Sequence, residues 1–342
     1  MISRESFLQS LKPLQEYLLS DDTEINEVIQ KAYETNPWFY PDFTRQAMSA
    51  IANEFLVKKK CEAWLNTYPS SDLSPRNIAI IMAGNIPLVG FHDLFCVLAS
   101  GNKAVIKLSE KDSILPRFVL QKWIEFCPGL EAAFIFIEKL EVFDAVIATG
   151  SNNSSRYFEY YFSSYPHLLR KNRNGVVVLN GIESKKELER LGDDIFLFYG
   201  LGCRNVSKMY VPEGYDFTMM ISAFEKWNYL ADHNKYRNNL DYNYAIYIIN
   251  SVPHSSLGHL ILKQDDAIAS RIGCVHYSYY DDTNALMKEL ETKRNEIQCV
   301  VSQTPLEKWE HVSLGSTQHP RLDQYADGVD TLLFLSTLST TG

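Results

Sequence analysis

Among the six cysteines of this chain, Cys203 has neighbours that suit a nucleophile: it lies in Gly200-Leu-Gly-Cys-Arg-Asn205. Two glycines allow a sharp backbone turn and leave room beside the sulfur for a carbonyl carbon. Arg204 and Lys208 are close in sequence and could favour a thiolate. As a dinucleotide fingerprint the segment fails, because Asn205 replaces the third glycine and an amphipathic helix, not a strand, precedes it. The other five cysteines, at positions 61, 96, 127, 274 and 299, are scattered with no C-x-x-C pair. They read as small buried hydrophobes in a reducing compartment.

Three further segments could serve chemistry. Ala83-Gly-Asn-Ile-Pro87 follows an expected strand and can aim the Asn85 amide into the edge where α/β folds place ligands. The run from Gly101 to Glu110 reads as a strand delivering Lys107, Ser109 and Glu110 to that edge. Thr149, Gly150 and Ser151 form a turn suited to a cofactor's phosphates or nicotinamide ring. A basic stretch, Leu168-Leu-Arg-Lys-Asn-Arg-Asn-Gly175, reads either as a solvated linker or as a phosphate-binding site using Arg170, Lys171 and Arg173. The eight histidines show no metal-ligand spacing and no G-x-S-x-G occurs, so metallohydrolase and serine-hydrolase chemistry is not expected.

The elements that must hold these residues follow from periodicity. Leu11, Leu14 and Leu18 recur at helical spacing, and the helical pattern continues to about Leu65. A polar loop follows at residues 68–75. Strands at 77–82, 103–108, 133–137 and 145–149 then alternate with helices at 90–100 and 114–126. These strands are nearly all apolar, as expected when both faces of a parallel sheet are covered. A second α/β region begins with strand 176–179. A helix follows whose stripe is Leu188, Leu191, Ile195 and Phe198. Strands are also expected at 209–211, 244–250, 275–279 and 331–335, with helices from Phe217 and over 283–293. The fold class is therefore α/β with two doubly wound regions. The first comprises residues 1–170 with 305–342 returning to it, and the second comprises 171–304 with Cys203.

In this order and spacing, the segments resemble the aldehyde dehydrogenase superfamily. The likeness covers roughly residues 76–224. It implies that Asn85 is the oxyanion asparagine and that Lys107 and Glu110 meet the adenosine ribose. It also implies that Gly150 and Ser151 lie beside the nicotinamide, and that Cys203 is the nucleophile. The superfamily's usual L-E-L-G-G-K, whose glutamate activates the hydrolytic water, is replaced here by Leu168-Leu-Arg-Lys-Asn-Arg-Asn174. Leu169 or Arg170 falls at the glutamate position, so oxidation to an acid is not implied. That departure, the Gly-Leu-Gly-Cys-Arg-Asn run and Gln324-Tyr-Ala-Asp-Gly-Val-Asp330 look like fatty acyl-CoA reductases of the LuxC type. The resemblance implies NADPH-dependent reduction of an acyl-CoA or acyl-carrier thioester to the aldehyde through a Cys203 thioester. Glu110, which could bond ribose hydroxyls, favours NADH as the alternative cofactor. The competing readings are a non-redox Cys203 acyltransferase or thioesterase, and a non-catalytic member of the fold.

Composition bounds the partners. The 342 residues carry a formal net charge of −9, without the clustered Lys and Arg that nucleic-acid backbones require. No 18-residue apolar run or signal-peptide core is present, so a soluble cytoplasmic protein is expected. A homo-oligomer, with an acyl-supplying partner enzyme, is implied by the resemblance.

Overall fold

The computed structural model describes residues 2–68, 74–150 and 152–338. Most of the expected loop at 68–75 and the expected site residue Ser151 therefore lie outside the described residues. The chain forms two compact units, residues 1–172 with 319–342, and residues 173–318. The segment 305–318, expected with the first unit, belongs to the second. The reason is local: Val300 and Val301 pair with His311 and Val312, and the Asp194 carboxylate accepts the Gly315 and Thr317 N–H groups.

The first unit opens with four helices, α1 (Arg4–Leu19), α2 (Thr23–Thr35), α3 (Pro41–Glu54) and α4 (Lys58–Leu65). Ser3 caps α1, and Leu11, Leu14 and Leu18 form its buried stripe. Then come β1 (Asn77–Ile81), α5 (Phe91–Ala99), β2 (Lys103–Lys107), α6 (Ile114–Phe126), β3 (Phe134–Phe136), β4 (Ala145–Thr149), α7 (Asn152–Tyr161) and β5 (His167–Arg170). The five strands form one parallel sheet in the order β3-β2-β1-β4-β5. Ile78, Ala79 and Ile80 are buried because helices cover both sheet faces. Phe7, Phe95 and Trp123 pack with ring centroids 5.4–6.0 Å apart, joining α1, α5 and α6.

The second unit contains β6 (Asn174–Val178), α8 (Lys185–Phe196), β7 (Val206–Pro212), α9 (Thr218–Phe224) and α10 (Asn234–Ile249). It continues with β8 (Ser255–Ser256), β9 (Ile261–Gln264), β10 (Cys274–Tyr280), α11 (Thr283–Thr292), β11 (Ile297–Ser302) and β12 (His311–Val312). Its sheet order is β12-β11-β6-β7-β10-β9-β8, parallel except for the β8–β9 pair. Helix α12 (Thr331–Thr337) belongs to the first unit.

Four local expectations change. The segment 244–250, rich in Tyr and Ile, lies in α10 and not in a strand. His233 caps that helix, and Tyr236, Leu240, Asn243 and Tyr247 form its buried stripe. The segment 331–335 is helical because Asp330 caps it by accepting the Leu333 N–H at 2.8 Å. The basic stretch is not a linker at its start: residues 167–170 are edge strand β5, paired with β4. Helix α8 stops at Phe196, so Phe198 lies beyond it at φ +55.

Candidate active site

The carboxyl edge of the first sheet gathers most of the residues expected to bind a cofactor. Gly84 and Asn85 follow β1, Lys107, Ser109 and Glu110 end or follow β2, and Thr149 and Gly150 end or follow β4. Two glycines permit close approaches there. A Cβ on Gly84 would lie 2.6 Å from the Ser109 hydroxyl, and one on Gly150 would lie 2.8 Å from the Phe158 ring. The turns after β1 and β2 are thereby pressed together, and α7 sits tight against the end of β4. The side chains of Lys107, Glu110 and Asn85 are exposed at this edge.

Asp112 also stands at this edge and was not anticipated. It is 4% exposed, and its Oδ2 accepts the Leu88 N–H at 2.7 Å. Leu88 has φ +56, so a carboxylate pins a left-handed residue in the turn that carries Asn85. Burial pushes the Asp112 carboxyl up to about 7, partly offset by the Leu88 N–H. Its Oδ1 has no hydrogen-bond partner among the described residues. A lone Asp two positions after Glu110 gave no sequence cue to this role.

The expected phosphate-binding cations behave differently. The Arg170 guanidinium is buried, 3.0 Å from the Asp93 carboxylate, and donates to the Ala326 carbonyl at 2.5 Å and the Thr331 hydroxyl at 2.6 Å. A phosphate-binding role for Arg170 is therefore corrected: both terminal nitrogens are engaged inside the first unit, and its Nε–H is buried with no partner among the described residues. Despite burial, the Arg170 charge holds the Asp93 carboxyl below the usual range. Lys171 is exposed and pairs with Glu159 at 2.8 Å. Arg173, half-buried in the second unit, reaches the Arg294 and Ile297 carbonyls at 3.4 Å each.

Cys203 lies in the second unit, three residues before β7. It is partly exposed, whereas the other five cysteines are buried. Burial pushes all five thiols up, Cys61 and Cys299 to about 12 and Cys274 to about 11. They are held as unreactive thiols. Ahead of Cys203 the backbone is left-handed at Phe198, Tyr199 and Gly200, with φ of 55, 57 and 72. For bulky residues such a conformation costs about 1–3 kcal/mol each, so packing must hold it. The Tyr199 ring lies 4.6 Å from His233 and 5.7 Å from Tyr236.

Of the two cations proposed to favour a thiolate, Arg204 donates its Nε–H to the Thr317 carbonyl at 2.8 Å. Lys208 is fully buried and committed to the Asp265 carbonyl and the Ser278 hydroxyl, which corrects its expected role at the sulfur. Burial lowers its ammonium to about 8. Gly175 permits another close approach, since a Cβ there would lie 2.6 Å from the Arg204 carbonyl oxygen. Asn85 belongs to the first unit and Cys203 to the second.

Among the described residues, no cluster of His, Cys, Asp and Glu could hold a metal ion. No described helix is long and apolar enough to cross a membrane. No protein-family description and no curated protein matches the sequence. Solved structures do match in fold. The chain is similar to the indole-3-acetaldehyde dehydrogenase of P. syringae, solved with NAD+ and IAA, at 14% identity. That match covers 90% of this chain and 73% of that one, with a TM-score of 0.63. An NADP-dependent enzyme of E. coli matches at 10% identity over 90% and 74% of the two chains, TM-score 0.64. An oxidoreductase of Marinobacter aquaeolei matches at 11% identity over 94% and 79%, TM-score 0.63. The fold is aldehyde dehydrogenase-like.

Proposed function

We propose that this chain is a nicotinamide-dependent oxidoreductase that reduces an acyl thioester, such as a fatty acyl-CoA, to the aldehyde. The observation that carries the reading is Cys203: a partly exposed thiol in a tightly clamped turn, on a fold shared with dehydrogenases, beside five cysteines shut away by burial. The Cys203 thiolate attacks the thioester carbonyl, forming a carbon–sulfur bond and a tetrahedral oxyanion. The Cys203 backbone N–H donates to that oxyanion, and the resemblance gives the Asn85 amide the role of second donor. Collapse breaks the bond to the leaving thiolate, which takes a proton from solvent, and leaves the acyl group on Cys203.

The carboxyl edge of the first sheet fits a nicotinamide dinucleotide. Lys107, Glu110 and Thr149 lie at the edge where parallel α/β sheets bind ligands, and Gly84 and Gly150 let its turns pack against Ser109 and Phe158. When bound, the cofactor supplies hydride to the thioester carbon. The Cys203 sulfur is then expelled as thiolate and the aldehyde is freed. NADPH is the preferred donor, with Lys107 offsetting Glu110, and NADH is the alternative.

Replacement of the usual hydrolytic glutamate by Leu169 or Arg170 supports reduction over oxidation. A water activated beside the acyl-enzyme would release acid before reduction. Asp93, the carboxylate against Arg170, is held in an ion pair and is not a base. Acyl-CoA-dependent oxidation of NADPH or NADH by wild type and Cys203→Ala tests the reading. Loss of turnover in the variant is expected, and near-full turnover would reject it. The reading also carries a cytoplasmic location, self-association and receipt of acyl groups from a partner enzyme as proposals.

A further inference from the structure

The side chain of Asn205, two residues after Cys203, is 1% exposed and fully engaged. Its Oδ1 accepts the Gly202 N–H at 2.8 Å. Its Nδ2 donates to the Asp194 carbonyl at 2.9 Å and the Leu197 carbonyl at 3.0 Å, with the Ile195 carbonyl at 3.4 Å. One amide thus caps the carbonyls left open where α8 ends and holds the first N–H of the turn carrying the thiol. Its own backbone N–H donates to the Gly202 carbonyl at 3.1 Å.

That last bond fixes a direction. No cis peptide occurs in the described chain, so the Gly202–Cys203 peptide is trans and its N–H points opposite its C=O. With the Gly202 carbonyl drawn towards Asn205, the Cys203 N–H is turned to the other side. A second clamp holds the following residue: Arg204 bonds Thr317, whose N–H is bonded by Asp194, whose carbonyl receives the Asn205 amide. The ring closes on the same short turn.

We propose that Asn205 is a positioning residue for catalysis, orienting the Cys203 peptide so that its N–H meets the oxyanion formed on the acyl thioester. This rests on the reading of Cys203 as the acyl-accepting nucleophile. It assigns Asn205 no contact with substrate. Aspartate would keep the acceptor for Gly202 while losing both donors to the end of α8. Glutamine would keep both kinds of group but displace them by a methylene.

The two reactions of one thiol separate positioning from mere folding. Acylation by an acyl-CoA passes through an oxyanion; alkylation by iodoacetamide displaces iodide and forms none. Both rates at Cys203 are measured by peptide mass spectrometry on Asn205→Gln and Asn205→Asp, using the natively folded fraction recovered by size exclusion. Acylation is expected to slow by about a hundredfold to a thousandfold, the cost of one misdirected oxyanion donor. Alkylation should stay near the wild-type rate. Equal slowing of both reactions, or acylation at the wild-type rate, would overturn the positioning role. Wild-type protein that takes no acyl group at Cys203 would instead overturn the reading beneath it.

Discussion

The guanidinium of Arg170 and the carboxylate of Asp93 form an ion pair 3.0 Å long inside the first unit, with both side chains largely removed from solvent. The pair ties the end of β5 to α5. Further bonds from Arg170 to Ala326 and Thr331 tie both to the returning C-terminal segment. Removing one partner strands a buried charge. Arg170→Ala should therefore cost about 3–5 kcal/mol in urea unfolding. The double change Asp93→Leu with Arg170→Met should cost much less, since no unpaired charge remains. Equal losses in the two proteins would contradict the assignment of Arg170 to structure.

Asp112 gives a pH dependence of known sign. Its folded value, about 7, lies above the usual carboxylate value of about 3.9, so the folded chain binds this proton more tightly than the unfolded one. The stability it contributes is fully present below about pH 4 and is lost as pH rises through about 7. Asp112→Asn cannot lose a proton. The melting temperature of the variant relative to wild type should therefore climb between pH 5 and 8. A difference independent of pH would show that Asp112 does not titrate there.

Glu110 and Lys107 make no ion pair among the described residues, and both side chains are exposed beside the close approach of Gly84. On the proposed reading Glu110 meets the adenosine ribose, where a carboxylate repels a 2′-phosphate. Glu110→Gln should improve NADPH binding relative to NADH by about fivefold, corresponding to about 1 kcal/mol between screened charges. Fluorescence titration with both cofactors reads the ratio. An unchanged ratio would remove Glu110 from cofactor discrimination.

The first sheet was readable because its strands are apolar on both faces and short, so β1, β2 and β4 stand out between helices of clear period. Tyr244 to Ile249 misled because β-branched and aromatic residues fill a helix whose face is set by packing of Leu240, Asn243 and Tyr247. Residues 331–335 misled because a short apolar run suits either state until the Asp330 cap decides it. Arg170 could not be read as buried, since Asp93 lies 77 residues away in sequence. The placement of Asn85 after β1 and of Lys107, Ser109 and Glu110 at the end of β2 was legible, as was the sharp turn at Gly200 before Cys203; the roles of these residues are those proposed above. Asn205 was visible only as a missing glycine. Its bonds run to Asp194 and Leu197, and the carbonyls they expose exist only once α8 has ended at Phe196.

Whether Cys203 accepts an acyl group is decided by incubating the purified protein with a panel of acyl-CoAs, without reduced cofactor, followed by peptide mass spectrometry. An acyl adduct on the Cys203 peptide is expected, strongest at the preferred chain length and discharged when NADPH or NADH is added. An unmodified Cys203 at every chain length would contradict the proposed function, as would an adduct that neither cofactor discharges.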